Sequence, residues 1–344
     1  MNRKIRRSEG EEGGATPALP SFRSSCSVSR RALLVAAASA ALASACRGVR
    51  RDVVRVGVMT NLTHAPLLAG LASGRIEQAL GVRVEMRAFR AGPQVLEALL
   101  GGAIDVGSAG PSAIVFNNAR HAPGTLRLLG GLCSGGASLL VGAASGIRGP
   151  EDLRGKRLAT PQIGTTQDIS LRTYLRDHGY TPSERGGDVA VHALDAATIL
   201  AEIRRRDLDG AWLPEPWATR VVQDAGALRL LDERDLWPGR RFPTALLVAS
   251  GPWARALPDV ASRLATAARL EVDRALAEPD ETRRVVGDEL ARLIGKRLPD
   301  SLLAEAARYV DFTSDPLLPA FDTIADDAFA LGLAPQSTHA TLLG

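Results

Sequence analysis

Leu158-Ala159-Thr160-Pro161-Gln162-Ile163-Gly164-Thr165-Thr166-Gln167-Asp168 runs out of a short apolar segment, Arg157 to Thr160, through a loop of small hydrogen-bonding residues and into the helical pattern of Thr166 to Asp177. Short apolar runs bounded by turn residues read as strands, and longer amphipathic segments read as helices. The stretch is therefore one strand–loop–helix unit, and units of this kind in succession specify a parallel sheet covered by helices. Upstream, the same grammar predicts strands over Val53 to Met59, Val82 to Phe89, Ile104 to Ser108, Leu126 to Leu132 and Ser138 to Ala143. Helices are predicted over Pro66 to Leu80, Pro93 to Leu100 and Ser112 to Ala119, with Pro66, Pro93 and Pro111 at or just before helix starts, where a missing N–H is harmless. Downstream, strands are predicted over Val189 to Leu194, Gly210 to Leu213, Leu228 to Leu231 and Thr244 to Ala249. Helices are predicted over Ala196 to Arg206 and Pro216 to Ala225, and the chain beyond Trp253 reads as mostly helical. A helix end, a turn and an Asp entering a strand occur at Glu97 to Asp105 and again at Glu202 to Asp209. The repeated order points to two similar α/β lobes.

Composition limits the function classes. The 344 residues are 45% hydrophobic and 23% charged, which suits globular domains and excludes wholesale disorder. The net charge is +4, yet residues 1–45 hold seven Lys/Arg and three acids, which leaves 35 of each sign for the remainder. A neutral body removes the compositional support for nucleic-acid binding. Ala32 to Ala45 is an apolar run of 14 residues behind Arg30-Arg31, too short to span a hydrocarbon core of ~30 Å and fitting an export signal. Ser29-Arg30-Arg31-Ala32-Leu33-Leu34 resembles a twin-arginine motif. Cys46, after Ala43-Ser44-Ala45, resembles the acylated cysteine of a bacterial lipoprotein. Residues 1–45 are thus expected to be a leader, with the mature protein in the periplasm or lipid-anchored through Cys46 on the outer face of the cytoplasmic membrane. No other apolar run reaches 18 residues, so the remainder is expected to be soluble.

In open α/β sheets, ligands bind at the carboxyl ends of the strands, so the loops there hold the candidate site. Asn61-Leu62-Thr63-His64, Ser108-Ala109-Gly110-Pro111-Ser112, Pro161 to Asp168 and Trp212 to Trp217 are the loops richest in hydrogen-bonding side chains. Ser112 and either Thr165 or Thr166 read as helix N-caps whose free N–H groups can hold an anion without Lys or Arg. The five histidines are scattered without metal-ligand spacing, and no metal or other cofactor is expected. Cys133 is the one nucleophile candidate, at the end of an apolar run where an inert buried thiol is the commoner outcome.

Phe89-Arg90-Ala91-Gly92-Pro93-Gln94-Val95-Leu96-Glu97-Ala98-Leu99, Gly102 to Gly107, Glu151 to Ala159, Gly164 to Asp168 and Asp209 to Trp217 together resemble, in order, the substrate-binding proteins of ABC importers for sulfonates, taurine and nitrate, a group related to thiamine-precursor binding proteins. The resemblance implies a type II periplasmic-binding-protein fold: two α/β lobes, two crossings and a ligand cleft between them. Lobe one is expected over residues 52–143 and 244–344, and lobe two over residues 144–243. The implied function is capture of a small organic anion, most readily an aliphatic sulfonate, by a monomer that delivers it to an ABC permease and its ATPase. Thr165 and Thr166 inherit a place facing the sulfonate, and Glu215 an acid for an amine or hydroxyl of the ligand. Asn61, Thr63, His64, Ser108, Ser112, Gln167, Asp168 and Trp212 complete the expected cleft. The alternatives are a thiamine-pyrimidine ligand, or a fold-related desulfinase with Cys133 as nucleophile.

Overall fold

The computed structural model describes residues 52–340. The expected leader and Cys46 lie outside the described residues. The first run of elements is β1 (Val53–Met59), a 3-10 turn (Leu62–His64), α1 (Ala65–Ala72), α2 (Arg75–Leu80), β2 (Arg83–Phe89), α3 (Gly92–Leu100), β3 (Val106–Ala109), α4 (Pro111–Asn118) and β4 (Leu126–Gly135). The second is β5 (Ala137–Val141), β6 (Arg157–Thr160), α5 (Thr166–Asp177), β7 (Ala190–Ala193), α6 (Ala196–Arg205), β8 (Gly210–Pro214), α7 (Trp217–Ala225) and β9 (Leu228–Asp232). The chain closes with β10 (Pro243–Ser250), α8 (Gly251–Ala256), α9 (Pro258–Ala277), α10 (Pro279–Ile294), α11 (Asp300–Ala307), β11 (Val310–Phe312) and α12 (Leu318–Ala330). The single helix predicted over Pro66 to Leu80 is broken at Ser73-Gly74, where Gly74 is left-handed. Val310–Phe312, in the stretch read as helical, instead pairs with the end of β4.

Two sheets form, in the orders β11-β4-β10-β3-β1-β2 and β7-β6-β8-β5-β9. Within the first, β1 is parallel to β2 and β3, and β10 runs antiparallel between β3 and β4. The second repeats this plan: β6 is parallel to β7 and β8, and β5 runs antiparallel between β8 and β9. The repeat reaches individual residues. Asp105 accepts hydrogen bonds from the N and Nε of Arg55 at 2.8 and 3.0 Å, and Asp209 accepts them from the N and Nε of Arg157 at 2.8 and 3.3 Å. In each case the Asp carboxylate closes the start of a strand onto its parallel neighbour, which is why this residue type recurs at both corners.

Each sheet is covered on both faces, and strand parity sorts its side chains between two apolar clusters. Ala245, Leu247 and Ala249 of β10 pack with β1 and α1, whereas Leu246 and Val248 pack with α3 and α4. In the second sheet Leu139, Leu158 and Trp212 share one cluster, and Leu140, Ala159 and Leu213 the other. The chain passes between sheets through Gly136 alone on the way out, and through residues 233–242 on the way back. Ala137–Val141 pairs within the second sheet, so the change of sheet precedes the boundary after Ala143 expected from sequence. Gly135 and Gly136 are both left-handed, with φ of 70° and 75°. A Cβ on Gly136 would stand 2.8 Å from Cγ2 of Thr63. Glycine is required there on both counts.

Candidate functional site

One cavity of ≈ 680 Å³ collects the carboxyl ends of the six strands that run parallel among the described residues. Thr60, Arg90 and Gly110 enter it after β1, β2 and β3, and Pro161, Asp195 and Pro214 enter it from β6, β7 and β8. Of the residues expected in a cleft, Asn61, Thr63, His64, Ser112, Thr165, Thr166 and Gln167 line this cavity. The first turns of α4 and α5 meet in it, and their leading N–H groups have no intrahelical acceptor. Ser112 Oγ and Thr166 Oγ1 hydrogen-bond at 3.1 Å. Neither expected N-cap side chain performs that role. The cap of α4 is Gly110, and Thr165, although at the cap of α5, donates its hydroxyl back to the Gln162 carbonyl at 2.8 Å.

Ser108, Asp168, Trp212 and Glu215 are absent from the cavity lining and buried elsewhere. Ser108 Oγ lies 2.8 Å from Nδ1 of His64. Asp168 shapes the loop, accepting from the Gly164 N–H at 2.9 Å, the Thr160 hydroxyl at 3.2 Å and Arg172 Nε at 2.9 Å. Trp212 falls on the core side of β8 by strand parity and donates its Nε1–H to Glu233 at 2.6 Å. Glu215 accepts from Arg229 at 2.7 Å and from the Thr219 N–H of α7 at 3.0 Å. Its carboxylate serves the helix start and an ion pair with half-buried Arg229. Burial raises the Glu215 pKa, against the pull of Arg229. Arg90, Gln94 and Asp195, which sequence reasoning does not single out, line the cavity, as do Trp217 at the end of the Trp212 to Trp217 loop and Leu293 and Ile294 at the end of α10. The first three lie beside the carboxyl ends of β2 and β7, which the strand-end rule already marks; Leu293 and Ile294 carry no local signal.

The cavity's polarity comes mainly from uncharged groups. Arg90 and Asp195 are the charged residues of its lining. Asp195 caps α6, accepting from the N–H groups of Ala197 and Thr198 at 3.1 Å, and its pKa is held low chiefly by the Thr198 hydroxyl. Burial drives the His64 imidazole down to about 3, so the ring is neutral in the physiological range. Thr63 donates its hydroxyl to Asn61 Oδ1 at 2.6 Å. Cys133 is buried in the cluster between β1 and the helices, does not line the cavity, and has its thiol pKa pushed well up by burial. Among the described residues, no helix is long and apolar enough to cross a membrane, and no group of three or more His, Cys, Asp or Glu is arranged to hold a metal ion.

This architecture has known relatives. The taurine-binding periplasmic protein of Escherichia coli (strain K12) is 28% identical over 230 residues, 67% of this chain and 69% of that protein. The alkanesulfonate-binding protein SsuA of Xanthomonas axonopodis pv. citri, in a structure bound to MOPS, has a TM-score of 0.70 at 22% identity, over 86% of this chain and 98% of its own. The periplasmic nitrate-binding protein NrtA of Synechocystis PCC 6803 has a TM-score of 0.66 at 15% identity, over 83% of each chain. At such identities the structural likeness speaks for the fold, and the fold is that of type II periplasmic binding proteins. Residues 49–290 match the model of one family across both sheets, and the chain belongs to the NMT1-like family.

Proposed function

We propose that this chain is the extracytoplasmic solute-binding component of an ABC importer, and that it captures a small organic anion, an aliphatic sulfonate before other classes. The observation that carries the reading is the meeting of the first turns of α4 and α5 in one cavity at the strand ends, with Ser112 and Thr166 in contact there. Helix N-termini and hydroxyls favour an anion without a buried countercharge. The volume of ≈ 680 Å³ lies within the ~300–1,000 Å³ range of organic-ligand pockets and supports a ligand with a tail over a bare inorganic ion. Phe89, Trp217 and Ile294 in the lining supply apolar surface for that tail.

On this reading the two sheets belong to two lobes that close on the ligand, and the partner is a permease with its ATPase. The leader and Cys46 place the protein outside the cytoplasm, held to the membrane by a lipid. Replacing Cys46 with Ser then releases it to the soluble fraction, and a wild-type protein that is equally soluble and carries no acyl mass leaves simple secretion. The absence of Cys133 from the cavity lining supports binding over desulfination.

A thermal-shift panel tests the function. Alkanesulfonates, taurine, nitrate, bicarbonate and thiamine pyrimidines are each added to the protein, and the recovered compound is weighed by mass spectrometry. A ligand at a hundred times its Kd stabilises the fold by about 2.7 kcal/mol. The proposal expects a shift with sulfonates and recovery of the unchanged compound. A shift with thiamine pyrimidines alone replaces the ligand class, and sulfite release dependent on Cys133 replaces binding by catalysis.

A further inference from the structure

Ser108 is fully buried on β3, outside the cavity, and its side chain makes one hydrogen bond among the described residues, the 2.8 Å contact with His64 Nδ1. A hydroxyl carries a single proton. Were Nδ1 protonated, the Ser108 oxygen would accept and its own proton would be sealed in the core with no acceptor. Buried donors are left unpaired somewhat less often than buried acceptors. With Ser108 donating to Nδ1 the sealed hydroxyl is paired, and the one donor left over belongs to His64, which lines the cavity, rather than to Ser108, which does not. A neutral imidazole then carries its proton on Nε2. That nitrogen has no hydrogen-bond partner among the described residues, and His64 belongs to the cavity lining.

We propose that Ser108 is a positioning residue that locks His64 in the Nε2–H tautomer, so that the cleft presents to its ligand a neutral donor that cannot act as an acceptor. The inference rests on the solute-binding reading and narrows its ligand. The hydroxyl pair of Ser112 and Thr166 and the amides of Asn61 and Gln167 can donate or accept, and the Thr165 hydroxyl, its proton given to Gln162, can accept, whereas His64 can only donate. The ligand atom facing it is then an oxygen without a proton, as in a sulfonate; a protonated phosphonate oxygen or an ammonium would set two protons against each other.

The tautomer is read directly by long-range ¹⁵N–¹H NMR on the full chain carrying ¹⁵N-labelled histidine, with the His64 signals assigned by their loss in His64→Gln. The expected result is a protonated Nε2 and an unprotonated Nδ1 in the wild type without ligand. Ser108→Ala should bring in the Nδ1–H form, and Ser108→Thr should restore the original pattern. A wild-type Nδ1–H tautomer overturns the proposal, as do His64 signals unmoved by Ser108→Ala. The wild-type spectrum decides even if a variant fails to fold. Titration with 1-butanesulfonate supplies the second readout, with a several-fold weaker Kd expected in Ser108→Ala and an unchanged Kd counting against the assignment. Absence of butanesulfonate binding by a wild type with the Nε2–H tautomer overturns the sulfonate reading and leaves the Ser108 assignment standing.

Discussion

Ser112 and Thr166 touch across the cleft, hydroxyl to hydroxyl at 3.1 Å, each in the first turn of a helix that follows a strand of a different sheet. Two groups that bond each other and also face a ligand are coupled, so their contributions do not add. Thr166→Ala and Ser112→Ala should each weaken binding of the ligand found in the panel by about 1.5–3 kcal/mol, the range for hydrogen bonds to charged groups. The double variant should lose less than the sum. Thr165→Ala should lose less than either, because its hydroxyl is occupied by the Gln162 carbonyl. Calorimetric titration of the four variants gives the comparison, and a Thr165 effect exceeding that of Thr166 would reverse the assignment.

The pair of buried Glu215 and half-buried Arg229 sets a stability difference. Arg229 also lies over the Tyr309 ring, 3.5 Å from its centroid. Arg229→Ala strands a carboxylate in the core and should cost about 3–5 kcal/mol. Glu215→Gln keeps a neutral acceptor and should cost clearly less. Urea midpoints at neutral pH measure both.

Glu233 should give the protein a pH-dependent stability. Its carboxylate accepts from the Ser170 hydroxyl at 2.5 Å and from Trp212 Nε1 at 2.6 Å, and burial pushes it from the ordinary 4.5 up to about 7. A carboxyl whose folded pKa is raised contributes stability that is fully present below the unfolded value and is lost as pH rises through the folded one. The loss falls between about pH 4.5 and 7 and is on the order of 3 kcal/mol. Subtracting the unfolding profile of Glu233→Gln from that of the wild type isolates this slope from those of other groups. A flat difference across the window removes Glu233 as its source.

Gly136 should matter to binding from outside the cavity lining. Alanine there must adopt a left-handed φ, at about 1–2 kcal/mol, and its Cβ presses on Cγ2 of Thr63, a cavity residue. Gly136→Ala should therefore lower both the melting midpoint and the affinity. Gly226→Ala, left-handed but with open space around its Cβ, should lower the midpoint alone.

The alternation of strands and helices was legible because each element carries its own period. Val53–Met59, Arg157–Thr160 and Thr166–Asp177 appear with the bounds read from sequence. The Asp105 and Asp209 corners were legible for the same reason, since the turn and the strand entry lie within a few residues of each other. What a side chain faces is decided by partners far along the chain. Trp212 looked like a cleft residue until Glu233 and Tyr174 fixed its side of the sheet. Glu215 looked like a ligand contact until Arg229 met it, and Ile294 reaches the cavity only because α10 packs against α1 and ends there. Val310–Phe312 is too short to show a period at all and is a strand because β4 extends to meet it.

The two sheets share a strand plan but not a chain plan. The second is drawn wholly from residues 137–232, whereas in the first β10 arrives after that whole segment and joins β3 to β4. Pro243 at the start of β10 pairs with Ser134 near the end of β4. The entire second sheet is thus the loop of one antiparallel hairpin, and its two tethers leave the first sheet side by side. A chain growing from its N-terminus completes the second sheet while the first is still split between β3 and β4. Excising residues 136–242 would leave two neighbouring strand ends that a short turn can join.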